Sequence, residues 1–183
     1  MTVLVAGLVV FFAVHFVPSM QGVKGALKSR FGEMGYAGAF SLVAFAGLGL
    51  IIWGFATAEW VTVYDPPVWG RTVTMLLVAP AFICLAAANM KGRIKNTLKH
   101  PMLVGVGLWG TGHLFANGDA ASVVLFASFV AFSIVDIVVA NAQGRVASFE
   151  VDPKQDVMAV VGGLAVYGIF LFLHPYVIGV HVI

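Results

Sequence analysis

Long stretches without a charged residue alternate along this chain with short connections that carry nearly all of the charges. Six such stretches occur, at 1–23, 34–58, 72–90, 100–118, 120–141 and 157–183, and Asp136 is the only charged residue inside any of them. A helix needs roughly 20 predominantly apolar residues to cross a bilayer. The pattern therefore predicts six membrane-spanning helices near 2–18, 35–57, 70–89, 101–116, 120–140 and 157–178.

Continuous apolar runs favour helices over a barrel, because barrel strands alternate apolar and polar residues and these runs do not. In lipid, a helix satisfies its own backbone hydrogen bonds within one segment. We therefore predict an all-α, polytopic membrane helix bundle that forms a single transmembrane domain over residues 1–183. The composition agrees, since 61% of the residues are hydrophobic and only 10% are charged. Such a chain cannot cover a water-soluble globule with polar surface, which excludes soluble enzymes and nucleic-acid readers.

The charges also predict an orientation. Nine of the ten Lys and Arg residues lie in the connections after the first, third and fifth predicted spans, and only Arg71 lies in an opposite connection. Under the positive-inside rule the basic connections face the cytoplasm. Both termini are then on the non-cytoplasmic side, and the basic connections are expected to meet anionic lipid in the bilayer.

The first basic connection, residues 21–35, leaves two interpretations open. Val23, Leu27, Phe31 and Met34 recur at helical spacing with basic residues between them, which is typical of a short interfacial helix. A solvated loop fits the same residues equally well.

Ionisable residues inside a membrane are costly and each is a candidate for function. His15, His113, His174 and Asp136 lie within predicted spans. His100 precedes Pro101 at a helix start, where we expect it to cap the helix among headgroups, and His181 near the C-terminus is expected to be solvated. Neutral imidazole is a good haem ligand, and facing helices of a bundle can hold a haem between two histidines.

Depth in the membrane limits the possible histidine pairs. At about 1.5 Å per residue, His113 and His174 both fall in the outer half of the membrane, whereas His15 falls in the inner half near Asp136. Asp136 could orient or charge-pair His15 behind a bound metal. Trp109, four residues before His113, shares its helix face and is either a cofactor wall or ordinary packing. Hydrogen bonding to a neighbouring helix is the alternative for each histidine.

Three segments resemble the NnrU family of small bacterial membrane proteins. They are KHPMLVGVGLWGTGHLFANGD at 99–119, AVHFVPS at 13–19 and RFGEMGYAGAFSLVAF at 30–45, and with the helix that follows they cover about residues 13–140. The resemblance implies a protein of the bacterial inner membrane that is associated with denitrification, in nitrite and nitric oxide reduction. The same superfamily includes the zeta-carotene isomerase, a haem b membrane enzyme with two histidine ligands, and by resemblance these fall on His15 and His113.

The resemblance implies haem b as cofactor, with His15 and His113 as its ligands. His174, which matches His113 in depth, is the reserve ligand, and Trp109 is a candidate to lie beside the haem because it shares the helix face of His113. The isomerase has a cysteine three residues before its second ligand histidine, where this chain has Gly110. One hypothesis for this chain is therefore a haem b-binding membrane protein with a redox or isomerase function. A non-catalytic assembly or accessory subunit of a respiratory or denitrification complex is the second. A small transporter using Asp136 and His15 is the third, against which the absence of evident inverted repeats argues.

Overall fold

The computed structural model describes residues 1–180 and 182, so the expectation for His181 lies outside the described residues. Helices dominate this part of the chain, and the backbone pairing recorded apart from them is one isolated antiparallel bridge between Thr62 and Asp119. The predicted all-α class is confirmed. The helices are α1 (Thr2–Phe16), a 3-10 turn (Val17–Ser19), α2 (Gln21–Ala56), α3 (Gly70–Ala87), α4 (Arg93–Leu98), α5 (Pro101–Ala116), α6 (Ala120–Ala142) and α7 (Lys154–Val177).

Five of these helices are long and apolar enough to cross a membrane: α1 with its 3-10 turn, α2, α3, α6 and α7. The chain is therefore described as an integral membrane protein. The fourth predicted span corresponds to α5, which has the predicted bounds but only 16 residues. That α5 crosses the membrane stays a prediction. The sixth span and the sidedness of the termini depend on this crossing and stay predictions too.

The helix α2 starts well before the predicted span at 35–57, because it includes the first basic connection. Its 36 residues contain one non-helical position, Gly32, with φ 72° and ψ 172°. Only glycine adopts this conformation without strain, so the helix changes direction there. Residues 21–31, which we call the arm, are thus helical, and the solvated-loop interpretation is wrong. Whether the arm lies in the membrane interface stays a prediction.

The chain divides into two compact units, each described by itself, and the predicted single domain stays a prediction. Unit 1 contains residues 1–64 and 119–128, and unit 2 contains 65–118 and the part from Phe129 onwards. In unit 1, α1 and α2 run antiparallel in close contact. Ideal Cβ atoms on Gly7, Gly47 and Gly54 would lie within 3 Å of backbone atoms of the facing helix, so the two backbones approach each other at glycine positions.

Unit 2 is built around α3, against which α5 and α7 pack. Gly105 of α5 lies against Ala81 and Gly112 against Thr74, so that α5 runs antiparallel to α3. The Thr74 hydroxyl donates a 2.7 Å hydrogen bond to the carbonyl of Gly112. On the other side of α3, the Tyr167 hydroxyl of α7 donates to the carbonyl of Met75 at 3.1 Å.

The basic connection after α3 is fastened to the start of α7. The Asp156 carboxylate accepts backbone hydrogen bonds from Arg93 at 2.9 Å and Ile94 at 3.0 Å. Asp156, although distant in the sequence, therefore caps the N-terminus of the short α4. The Gln155 side chain accepts from the backbone of Lys91 at 2.6 Å, which extends the same connection.

Candidate functional site

His15 lies in the last turn of α1, in unit 1, among aromatic rings. Its Nδ1 donates a 2.6 Å hydrogen bond to the carbonyl of Phe11, one turn earlier. The imidazole stacks on the Phe11 ring with centroids 4.1 Å apart and meets the Phe40 ring of α2 edge-on at 5.2 Å. This hydrogen bond and these ring contacts fix the orientation of the imidazole.

His113 lies in the last turn of α5, in unit 2, and has a closely similar environment. Its Nδ1 donates to the carbonyl of Trp109 at 2.8 Å. The centroid of the Trp109 ring lies 5.1 Å from that of the imidazole, and Trp109 also meets the Phe129 ring edge-on at 5.6 Å. The side chain of Asn117 donates to the carbonyl of His113 at 2.8 Å and closes the helix end.

The hydrogen bonds at Nδ1 determine which nitrogen of each ring can bind a metal. A carbonyl oxygen is only an acceptor, so Nδ1 of His15 and of His113 must carry the proton. A neutral imidazole protonated at Nδ1 has its lone pair on Nε2, and a metal-bound histidine typically has its other nitrogen bonded in this way. Both rings therefore present the tautomer that binds iron through Nε2.

His174 of α7 shares unit 2 with His113. Its Nδ1 donates to the carbonyl of Val180 at 2.9 Å, just beyond the helix end. His15 belongs to the other unit, so its pairing with His113 stays a prediction, and His174 stays in reserve.

Trp109 packs against His113 and also borders a cavity. It lines a largely apolar cavity of about 230 Å³ in unit 2, together with residues of α3, α5 and α7: Ala81, Phe82, Leu85, Val106 and Phe170. A cavity with such a lining suits an apolar guest. Its role as a cofactor wall stays a prediction.

Asp136, the one charge inside a predicted span, forms an ion pair that the sequence reasoning missed. The Arg145 guanidinium donates to its carboxylate at 3.0 Å. The glycine at 144 has φ 64°, and the backbone of Arg145 donates to the carbonyl of Ala140. This glycine-terminated helix end turns Arg145 back along α6. The signal available in the sequence was the pair Gly144–Arg145, in which the arginine follows Asp136 by nine residues. The predicted role of Asp136 towards His15 joins residues of different units and stays a prediction.

His100 occupies the N-cap position of α5, and Pro101 takes the first helical position as predicted. The His100 side chain makes no capping hydrogen bond, so the expected capping role is wrong. Its Nε2 instead lies 3.1 Å from the side-chain oxygen of Asn141 near the end of α6. Among residues 1–180 and 182, no group of three or more His, Cys, Asp or Glu side chains could hold a metal ion. A pair of histidines is sufficient to ligate a haem iron.

Comparison with known proteins identifies the family. A family model described as NnrU protein matches residues 3–182, which is nearly the whole chain. The chain belongs to the NnrU family. No curated protein and no solved structure matches it. The NnrU match includes both segments that carry His15 and His113, and it extends over α7, which the motifs recognised in the sequence did not reach.

Proposed function

We propose that this NnrU-family membrane protein binds haem b through transmembrane histidines, with His15 and His113 as the ligands, and acts in the nitrite and nitric oxide metabolism of the bacterial inner membrane. One observation carries the proposal: both rings donate Nδ1–H to the carbonyl one turn earlier. This places the lone pair of each on Nε2, the nitrogen through which each ring would ligate a haem iron.

The surroundings of the two rings fit a haem as well as the donor atoms do. Phe11 and Phe40 flank His15, and Trp109 flanks His113. Apolar rings around a haem keep water away from the iron and so influence its potential. A bound haem b would supply one-electron redox chemistry, or a Lewis-acidic iron. The chain would supply the two imidazoles, their fixed orientation and the apolar surroundings.

An absorption spectrum of the purified protein tests the proposal. We expect a Soret band that is lost or strongly shifted in His15→Ala and in His113→Ala, since each removes one axial ligand. His100→Ala is the matched control, because its Nε2 lies against Asn141, and it should retain the wild-type spectrum. Loss of the band in His174→Ala but not in His15→Ala would replace His15 by the reserve ligand, and folded protein without haem would refute the proposal.

Two other candidate functions predict different experimental results. An accessory subunit would co-purify with an oxidoreductase complex and would keep that association in the His113→Ala variant. An isomerase of the zeta-carotene type would bind and isomerise a polyene, although Gly110 stands where that enzyme has cysteine. A role in nitrite and nitric oxide metabolism predicts that cells lacking the protein reduce nitrite more slowly, and that His113→Ala does not restore the rate.

A further inference from the structure

A second cavity lies in unit 1, where the end of α1, the arm and α2 meet. It is an open groove of about 160 Å³ lined by Val14 and Val17, by Leu27 and Phe31 of the arm, and by Tyr36, Ala39, Phe40 and Val43 of α2. Apart from the phenol of Tyr36, every side chain of the lining is apolar. The turn at Gly32 sets the direction of the arm and so brings Leu27 and Phe31 to the same groove as Tyr36.

The hydroxyl of Tyr36 is buried and has no hydrogen-bond partner in the described part of the chain. A buried hydroxyl without a partner is costly, and almost all such groups in native proteins bond to something. Because Tyr36 lines the groove, an occupant of the groove can supply the missing acceptor. The hydroxyl thus points to a ligand that carries an oxygen acceptor next to an apolar portion.

Two cations of the arm lie over aromatic rings of the groove lining. The Lys28 ammonium is 5.7 Å from the centre of the Tyr36 ring, and the Arg30 guanidinium is 5.5 Å from that of Phe31. Lys28 also pairs with Glu33 at 2.6 Å, whereas Arg30 is exposed. Guanidinium matches phosphate in geometry and charge. The exposed Arg30 therefore gives the rim of the groove a group that can bind a phosphate.

We propose that this groove is a binding site for an anionic phospholipid of the cytoplasmic leaflet. One acyl chain lies along the apolar lining, its ester carbonyl accepts the hydrogen bond of Tyr36, and its phosphate meets Arg30 and Lys28. The placement of groups supports this ligand: Lys28 lies over the ring of Tyr36, and the apolar lining continues from Tyr36 to Phe40 and Val43 of α2. A phospholipid has the same order of phosphate, ester and acyl chain, and anionic headgroups attract basic segments beside the membrane.

Binding of phosphatidylglycerol to the full-length protein in detergent, measured by native mass spectrometry against phosphatidylcholine with the same acyl chains, tests the site. Tyr36→Phe removes only the hydroxyl and should weaken phosphatidylglycerol binding about 5- to 10-fold, as expected for one hydrogen bond. Arg30→Gln should remove most of the preference over phosphatidylcholine. Tyr176→Phe, at a ring that is 76% exposed on α7, and Arg93→Gln, on another basic connection, are matched controls and should bind as the wild type does.

A second measurement separates a ligand-binding hydroxyl from a structural one. In lipid-free detergent, Tyr36→Phe should melt at the wild-type temperature or above it, because it loses a buried polar group that has no partner. The stabilisation by added phosphatidylglycerol should shrink in this variant. A lower melting temperature without lipid, or wild-type phosphatidylglycerol binding by Tyr36→Phe, would overturn the proposal. Displacement of phosphatidylglycerol by decylubiquinone would assign the groove to a quinone instead. None of these readouts depends on haem.

Discussion

At the scale of single residues, His15, His113 and Asp136 each bond within or just beyond their own helix, the histidines through Nδ1 and the aspartate through its carboxylate. Hydrophobic patterning isolated His15, His113 and Asp136, because each interrupts an apolar run. It could not show that Asp136 pairs with Arg145, since that contact depends on a chain reversal at Gly144 just after α6. Nor could it show the Nδ1 hydrogen bonds of the histidines, because those depend on rotamers rather than on residue identity.

The pair of Asp136 and Arg145 should contribute to stability through mutual neutralisation. Their side chains are 15% and 31% exposed, and loss of one partner of a partly buried pair leaves a charge that is poorly solvated. Asp136→Asn and Arg145→Gln should each lower the stability of the protein in detergent by about 1–3 kcal/mol. The double variant should lose clearly less than the sum of the two single losses. Strictly additive losses in a double-mutant cycle would show that the pair is not coupled.

At the scale of helices, the apolar runs predicted where α3, α5, α6 and α7 lie, but not the full extent of α2. Charge ends an apolar run without ending a helix, so the basic arm continues α2 beyond the predicted span. The break at Gly32 depends on a positive φ, and the other glycines near it carry no different sequence signal. The glycines of α1 and α2 likewise look equivalent in the sequence, although only some of them face the other helix.

Close packing of α1 on α2 predicts different effects of the same substitution at two glycines of α2. An ideal Cβ on Gly54 would lie 2.2 Å from the backbone nitrogen of Leu4, whereas one on Gly49 would meet nothing within 4 Å. Gly54→Ala should therefore force the helices apart and destabilise the protein by about 1–3 kcal/mol. Gly49→Ala should be neutral or stabilise it by up to about 1 kcal/mol. Melting temperatures in one detergent compare them, and equal effects would contradict the observed packing.

At the scale of the whole molecule, composition was enough to predict an all-helical integral membrane protein, but the number of crossings rests on α5. Its 16 residues reach about 24 Å, somewhat short of a typical hydrocarbon core. The packing of α5 supports a crossing although its length is short. The helix runs antiparallel beside the spanning helix α3, from Gly105 against Ala81 to Gly112 against Thr74. We therefore expect α5 to cross the membrane together with α3.

Labelling of single cysteines with a membrane-impermeant maleimide in intact cells tests this crossing. The one native cysteine, Cys84, is buried and can be replaced by alanine. In that background Glu59→Cys should label from outside, and Lys99→Cys should label only after permeabilisation, with Ser29→Cys as a second inner reference. The loop after α2 and the start of α6 lie on one side, because the backbone of Ala120 donates to the carbonyl of Val61 at 2.8 Å.

The result decides whether α3 and α5 both cross the membrane. If Glu59→Cys labels outside and Lys99→Cys inside, the chain must cross the membrane between Lys99 and Ala120, and only α5 lies there. Six crossings then return the C-terminus to the side of the N-terminus, as the distribution of Lys and Arg predicts. Equal labelling of Lys99→Cys and Glu59→Cys in intact cells would mean that neither α3 nor α5 crosses, which leaves four crossings with both termini on one side. It would also place the basic arm and the basic connection after α3 on opposite sides of the membrane, against the positive-inside rule.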